Sequence, residues 1–274
     1  MPRDLSKDER SADPVTLTES PNSVMTERSP SPTSSEQSSP STERQRQFVI
    51  VPEAQQVEAT NLHPYTRPLT VSDLDACVAL ENAAFTNPND RATPEKFKYR
   101  LSKCGELCLG IYCTVLPNSG FRAETLAASR PIETARKNGA ISVLLGHVVA
   151  SKTNDSTATD DSMGVPENWD SPHPVPTKRG HQEAGRTIVL HSVALLPGFQ
   201  GRGLGRVLLM AYVQNMNGAG IADRLALIAH DHMVAWYEKL GFTNLGKSAT
   251  QFGGGGWFDM ILELKQLQSR ATYG

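Results

Sequence analysis

From about residue 63 onward, apolar and polar positions fall into alternating blocks with the periods of strands and helices. Arg67-Pro68-Leu69-Thr70 closes a short strand. Ser72 then reads as the N-cap of a helix over Asp73 to Phe85, with Leu74, Cys77, Val78, Ala84 and Phe85 on its apolar face. Thr93-Pro94-Glu95 has the form of an N-cap followed by an N1 proline, which opens a second helix to about Lys103. Leu107–Val115 and Ile141–Ser151 are β-rich apolar runs, and Arg186–Leu196 is a further strand. Gly203 to Gln214 reads as a helix with Val207, Leu208, Ala211 and Tyr212 on one face. Arg224–His230 follows as a strand and Asp231–Leu240 as a helix stopped by Gly241. Strands near Phe242–Leu245 and Trp257–Leu264 close the pattern. The order β-α-α-β-β-β-α-β-α-β-β predicts one α/β (α+β) domain over 63–267, large enough for a substantial core.

Composition explains what lies outside this pattern. Hydrophobic residues make up 38% of the 274-residue chain, and the shortfall is local. Ser, Thr and Pro dominate residues 11–45, so 1–62 is expected to be a disordered tail, unable to offset its chain entropy by burying apolar surface. Nothing in the tail identifies a protein partner. Residues 117–139 are mixed, 152–185 read as a disordered insertion joining two strands, and 268–274 as a short C-terminal tail.

The net charge of −2 offers no basic surplus for a phosphate backbone, so nucleic acid is not expected as a partner. No apolar stretch is long enough for a membrane span, and the N-terminus lacks a signal-peptide h-region. Cys77, Cys104, Cys108 and Cys113 form no C-x-x-C pair and lack the second ligand pair of a closed zinc site. They read as buried, reduced thiols. The expectation is a cytoplasmic protein without a metal.

The candidate chemistry centres on a strand, a turn and a glycine run before a helix. The strand Thr187–Leu195 leads through Pro197-Gly198-Phe199 to Gln200-Gly201-Arg202-Gly203-Leu204-Gly205-Arg206. Glycine removes the Cβ atoms that would hold an anion off the backbone. The following helix aims its free N–H groups and positive dipole end at the same place. Such a site suits a pyrophosphate, with Arg202 and Arg206 adding charge. A Walker loop is excluded for want of Gly-Lys-Ser/Thr, and a Rossmann fingerprint because Arg206 stands where its last glycine would.

The spacing Gln200-x-x-Gly203-x-Gly205 resembles the GNAT superfamily pattern that holds the coenzyme A pyrophosphate. Val234-Ala235-Trp236-Tyr237-Glu238-Lys239-Leu240-Gly241-Phe242 is similar to a second segment of that superfamily, some 30 residues further on. Leu190-His191-Ser192-Val193-Ala194-Leu195, Glu81–Phe85 and Cys104–Gly110 resemble the arylalkylamine (serotonin) N-acetyltransferases and fungal polyamine acetyltransferases in particular. The resemblance covers roughly residues 65–264 without the insertions. It implies a mixed central sheet with a splayed strand pair flanked by helices, acetyl-CoA as co-substrate, and a small-molecule amine as acceptor. It also implies that Val193, Ala194 and Leu195 offer backbone groups to the pantetheine arm.

Acetylating a primary alkylamine means removing its proton, since only about one molecule in 10³ is neutral at pH 7 for a pKa of ~10.4. The resemblance assigns His191 to the proton path and Tyr237 to protonating the departing thiolate, a phenol of pKa ~10 being close to a thiol's ~8.5. Strand alternation predicts His191, Val193 and Leu195 on one face. The family's second histidine position is Val189 here. His230 and His232 are further candidates for proton transfer. Phe85, Trp257 and Phe258 match positions where the family builds an apolar amine pocket, and core packing is their other reading. Two rival functions stay open: a protein or peptide acetyltransferase, and a non-catalytic acetyl-CoA-binding module.

Overall fold

The computed structural model describes residues 63–116, 124–127, 139–173 and 175–265. The tails expected at 1–62 and 268–274, and most of 117–139, lie outside the described residues. Seven strands form one sheet: β1 (Tyr65–Pro68), β2 (Leu109–Val115), β3 (Ile141–Thr153), β4 (Thr187–Leu195), β5 (Arg224–Ala229), β6 (Thr243–Lys247) and β7 (Phe258–Glu263), in the spatial order β1-β2-β3-β4-β5-β7-β6. All neighbours are antiparallel except β4 and β5. A parallel pair needs a crossover, and α4 (Leu204–Ala219) supplies it. The result is mixed α/β, as the sequence pattern implied.

Two apolar clusters cover the two faces of the sheet. On one face, α1 (Leu74–Ala84), α2 (Pro94–Lys103) and the short α3 (Asp160–Met163) bring Cys77, Leu80, Phe97, Leu101 and Met163 against Val149, Val189 and Ala194. On the other, α4 and α5 (Asp231–Lys239) bring Leu208, Leu209, Tyr212, Met233 and Tyr237 against Val148, Leu190, Val193 and Leu195. All nine residues of β4 are buried, as expected for a strand covered on both faces. All four cysteines are buried and unpaired.

Local signals succeeded where the residue itself makes the cap. Thr93 accepts the Lys96 N–H ahead of Pro94 at the start of α2. At α1 the cap is not Ser72. A single 3₁₀ turn over Val71–Asp73 comes first, and Thr70 and Asp73 close a reciprocal capping box around it. Asp73 also takes a two-pronged ion pair from Arg67, at 2.8 and 2.7 Å. The stripe on α4 is rotated from the expected one. Val207 is 51% exposed, and Leu204, Leu208, Leu209, Tyr212, Val213 and Met216 are buried.

The stretch 152–185 corrects the expectation of a structureless insertion. It joins β3 to β4, but β3 runs on to Thr153 and α3 follows under its own Thr159–Ser162 capping box. Ala158 and Met163 are buried in the core. Two apolar anchors and a capped turn were enough to dock a segment whose average composition is polar.

Candidate active site

The site is built around an irregularity in β4. Val149 of β3 pairs with Ser192, and the next residue, Ala150, pairs with Leu190. His191 is the unmatched residue of a β-bulge. The bulge resets the alternation, so consecutive side chains His191 and Ser192 both project toward the α1/α2 face. His191 Nε2 lies 2.7 Å from Ser151 Oγ, and its Nδ1 lies 3.2 Å from Met163 Sδ. Val193 and Leu195 pack on the opposite face. The expected shared face of His191, Val193 and Leu195 is therefore wrong, because strict alternation assumes an unbroken ladder.

Burial pushes the His191 pKa well below the ordinary histidine value, and the nearby Arg100 guanidinium lowers it further. The imidazole is thus neutral at physiological pH, with a nitrogen able to accept a proton.

The strands β4 and β5 pair only over Thr187–Val189 and Arg224–Ala226. Beyond Val189 they part, and the β5-facing edge of Leu190–Leu195 has no strand partner among the described residues. Val193, Ala194 and Leu195 lie on this opening. Gln200 donates from Nε2 to the Leu195 carbonyl at 3.1 Å, so its side chain ties the glycine run to the end of β4. Gly201 (φ 72°) and Gly203 (φ 76°) hold left-handed conformations that side-chained residues resist. Gly203 is the N-cap of α4, and no side chain caps that helix end. The first-turn amides of Leu204, Gly205 and Arg206 lack intrahelical acceptors. A Cβ built on Gly203 would meet nothing within 4 Å. An uncapped helix end beneath open space fits an anion such as a pyrophosphate. Arg202 and Arg206 are exposed beside it.

Tyr237 lies on the α4/α5 face, away from His191, its ring edge-on to Trp236 at 4.8 Å and Phe242 at 5.4 Å. It is fully buried, and its hydroxyl has no hydrogen-bond partner among the described residues. Burial raises the phenol well above its ordinary value, which corrects the expected near-match to a thiol.

Phe85 and Trp257 are buried in one cluster with Ala194 and Ile228; Phe258 is half-buried outside it. Trp257 donates its indole N–H to the Phe252 carbonyl at 2.7 Å. His230 stacks on Trp257 at 3.8 Å and on His232 at 5.7 Å, and its Nε2 is 3.2 Å from Asp90 Oδ2.

Sequence reasoning missed a second buried polar cluster. Glu81 accepts from Ser192 Oγ at 2.7 Å and from the Ala92 N–H at 2.8 Å; His147 Nε2 lies 3.3 Å from Glu81 and 2.9 Å from Ser192. Burial by itself would raise the Glu81 carboxyl, but hydrogen bonds from His147 and Ala92 hold it below its usual range. The available signal was a charge within an apolar stripe, since Glu81 lies four residues after Cys77 and one after Leu80.

Residues 178–264, which hold His191, the glycine run and Tyr237, match the family model described as "Acetyltransferase (GNAT) domain". Similar proteins include the serotonin N-acetyltransferases of Mesocricetus auratus, at 36% identity, and of Homo sapiens, at 30%, each over 73 residues. The aligned stretch is 27% of this chain and 35% of each relative, so the match spans about a third of the relatives' length. Similar solved structures include the loading GNATL domain of CurA from Lyngbya majuscula, with a TM-score of 0.49 and 13% identity over 74% of this chain and 98% of that one. Another is the ribosomal-protein-S18-alanine N-acetyltransferase of Escherichia coli, with a TM-score of 0.41 and 16% identity over 76% and 97%.

Proposed function

We propose that this chain transfers the acetyl group of acetyl-CoA to the primary amine of a small-molecule acceptor, by direct attack with both substrates bound. The observation that carries this reading is the parting of β4 from β5 directly before an uncapped glycine-run helix end, within the stretch that matches the acetyltransferase domain. Arylalkylamines and polyamines are the acceptor classes the sequence suggests, and the names of the serotonin N-acetyltransferase relatives support the first.

Acetyl-CoA supplies the activated acetyl group. Glycines 201, 203 and 205 and the first-turn amides of α4 hold its pyrophosphate, Gln200 fixes the loop, and Arg202 and Arg206 add positive charge. The open edge of Val193, Ala194 and Leu195 receives the pantetheine amides as an added strand would. His191, neutral because it is buried, is the base: the Ser151 hydroxyl takes the amine proton as it gives its own to His191 Nε2, which ends as the imidazolium. Tyr237 keeps its proton until the thiolate departs. Phe85 and Trp257 line the amine side, with Phe258 at its margin. No helix among the described residues is long and apolar enough to cross a membrane, and we place the protein in the cytoplasm.

The test is thiol release from acetyl-CoA with tryptamine, spermine and a lysine peptide assayed side by side. Turnover of a small amine supports the reading. Turnover of the peptide alone makes the chain a protein acetyltransferase. Tight acetyl-CoA binding without turnover of any acceptor makes it a binding module.

A further inference from the structure

Arg100 projects from the buried side of α2 and is 1% exposed. Its Nη2 donates to the Met163 carbonyl at 3.2 Å, while its Nη1 is buried with no partner. Among the described residues no carboxylate pairs with it. The buried Glu81 carboxylate acts on it through space but makes no hydrogen bond to it, so the guanidinium's own donor stays unsatisfied, which a fold normally avoids. Desolvation lowers its pKa to about 10, so it stays cationic at neutral pH.

Arg100 lines a closed gap, too tight as it stands for a water molecule, together with Asp90, Ala92, Lys96, Met163, His191 and Phe252. Lys96 is a second cation on the same wall; its Nζ lies 4.2 Å from the centre of the Phe252 ring. The acid in the cleft, Asp90, is already engaged by Asn87 Nδ2 at 3.1 Å and His230 Nε2 at 3.2 Å. The cleft therefore presents a net positive wall beside the histidine assigned to the amine. Met163 bridges the two, its carbonyl on Arg100 and its sulfur on His191.

We infer that the acceptor carries a carboxylate as well as its amine, and that the free Nη1 of Arg100, supported by Lys96, binds that carboxylate. This rests on the acetyltransferase reading of the same site. Met163 touches both the guanidinium and the His191 ring, which keeps the amine and the carboxylate within one small acceptor. An α-amino acid is the simplest acceptor with that shape. The arrangement disfavours polyamines, whose second cation would meet Arg100 and Lys96. A planar carboxylate matches the guanidinium fork, although the gap is closed in this structure. Its entry requires the wall formed by α3 and the Phe252 turn to give way. A bound carboxylate would also cancel the Arg100 field that depresses His191, leaving the imidazole a stronger base when substrate is present.

The experiment compares matched acceptors on the full chain: tryptophan against tryptamine, and leucine against 3-methylbutylamine. The wild type should favour the amino acid of each pair in kcat/KM. Arg100→Met, which keeps an apolar chain of similar length in the core, should cut that preference at least tenfold and leave the acetyl-CoA Kd unchanged. If Arg100→Met does not fold, the wild type alone decides: indole-3-propionate should bind at least tenfold more tightly than indole-3-propionamide in calorimetry. A preference for the plain amines, or equal binding of acid and amide, overturns the inference while leaving the acetyltransferase reading intact. Arg100-dependent binding of indole-3-propionate with no turnover of any amine would overturn the acetyltransferase reading and keep the carboxylate site.

Discussion

At the scale of single residues, two side chains carry the proposed chemistry, and each makes a separable prediction. Tyr237 has a buried hydroxyl with no partner among the described residues. Tyr237→Phe removes that unsatisfied group and leaves the ring packed, so stability should hold or rise by about 1 kcal/mol. If the phenol protonates the thiolate, kcat should nevertheless fall by about 10²–10⁴-fold, with acetyl-CoA affinity within a few-fold. Thermal denaturation, calorimetry and steady-state rates on the same preparation check this. A Phe variant with full activity ends the assignment.

His191 makes the second residue-scale prediction. Its folded pKa lies below its unfolded value, so unfolding takes up a proton between the two. Its neutral burial is therefore harmless to stability above pH ~6.5, and stability falls as the pH drops below that value. His191→Gln should flatten this acid-side loss in urea titrations run from about pH 7 to 5. The same variant should lose most turnover near neutral pH, where the amine is protonated, and recover toward wild type above about pH 9. Arg100, Lys96 and Asp90 share the cleft with it, so both profiles belong to this group of charges. A rate deficit constant with pH would assign His191 a positional role only.

At the scale of elements, the bulge in β4 and the uncapped start of α4 decide the site. The unmatched His191 turns two neighbouring polar side chains to one face; one serves the cleft and the other joins Glu81 and His147. Gly203 holds a left-handed conformation at the N-cap of α4. A valine there would add strain of about 1–2 kcal/mol besides crowding the anion site. Asparagine tolerates this conformation and caps helices well. Gly203→Asn should therefore hold the melting temperature within a few degrees and still weaken acetyl-CoA binding by roughly tenfold, or 1.4 kcal/mol. Unchanged affinity in calorimetry would reduce the glycine run to a turn.

At the scale of the whole molecule, the sheet starts at Tyr65 and its last strand ends at Glu263. The polar composition of 1–62 offers no core. A chain beginning at His63 should keep its turnover within about twofold of the full chain, as judged by kcat with the preferred acceptor. A large loss in a folded truncation would show that the tail contributes to the site. Residues 152–185 are expected to behave oppositely, because Met163 of α3 touches both His191 and Arg100.

The sequence by itself determined the element order apart from α3, the α2 cap at Thr93, the glycine run and the acetyltransferase-like segments. These depend on neighbours within a few positions, where backbone freedom, caps and apolar period act directly. Only the tertiary structure decided which way His191 points, because the bulge exists through pairing with β3, 40 residues away in sequence. The same holds for Glu81, whose burial beside His147 and Ser192 depends on partners 66 and 111 residues distant. The docking of 152–185 and the unpaired Nη1 of Arg100 are likewise properties of a packed neighbourhood. Whether a buried charge finds a partner is set by every element that closes over it, and no local pattern records that.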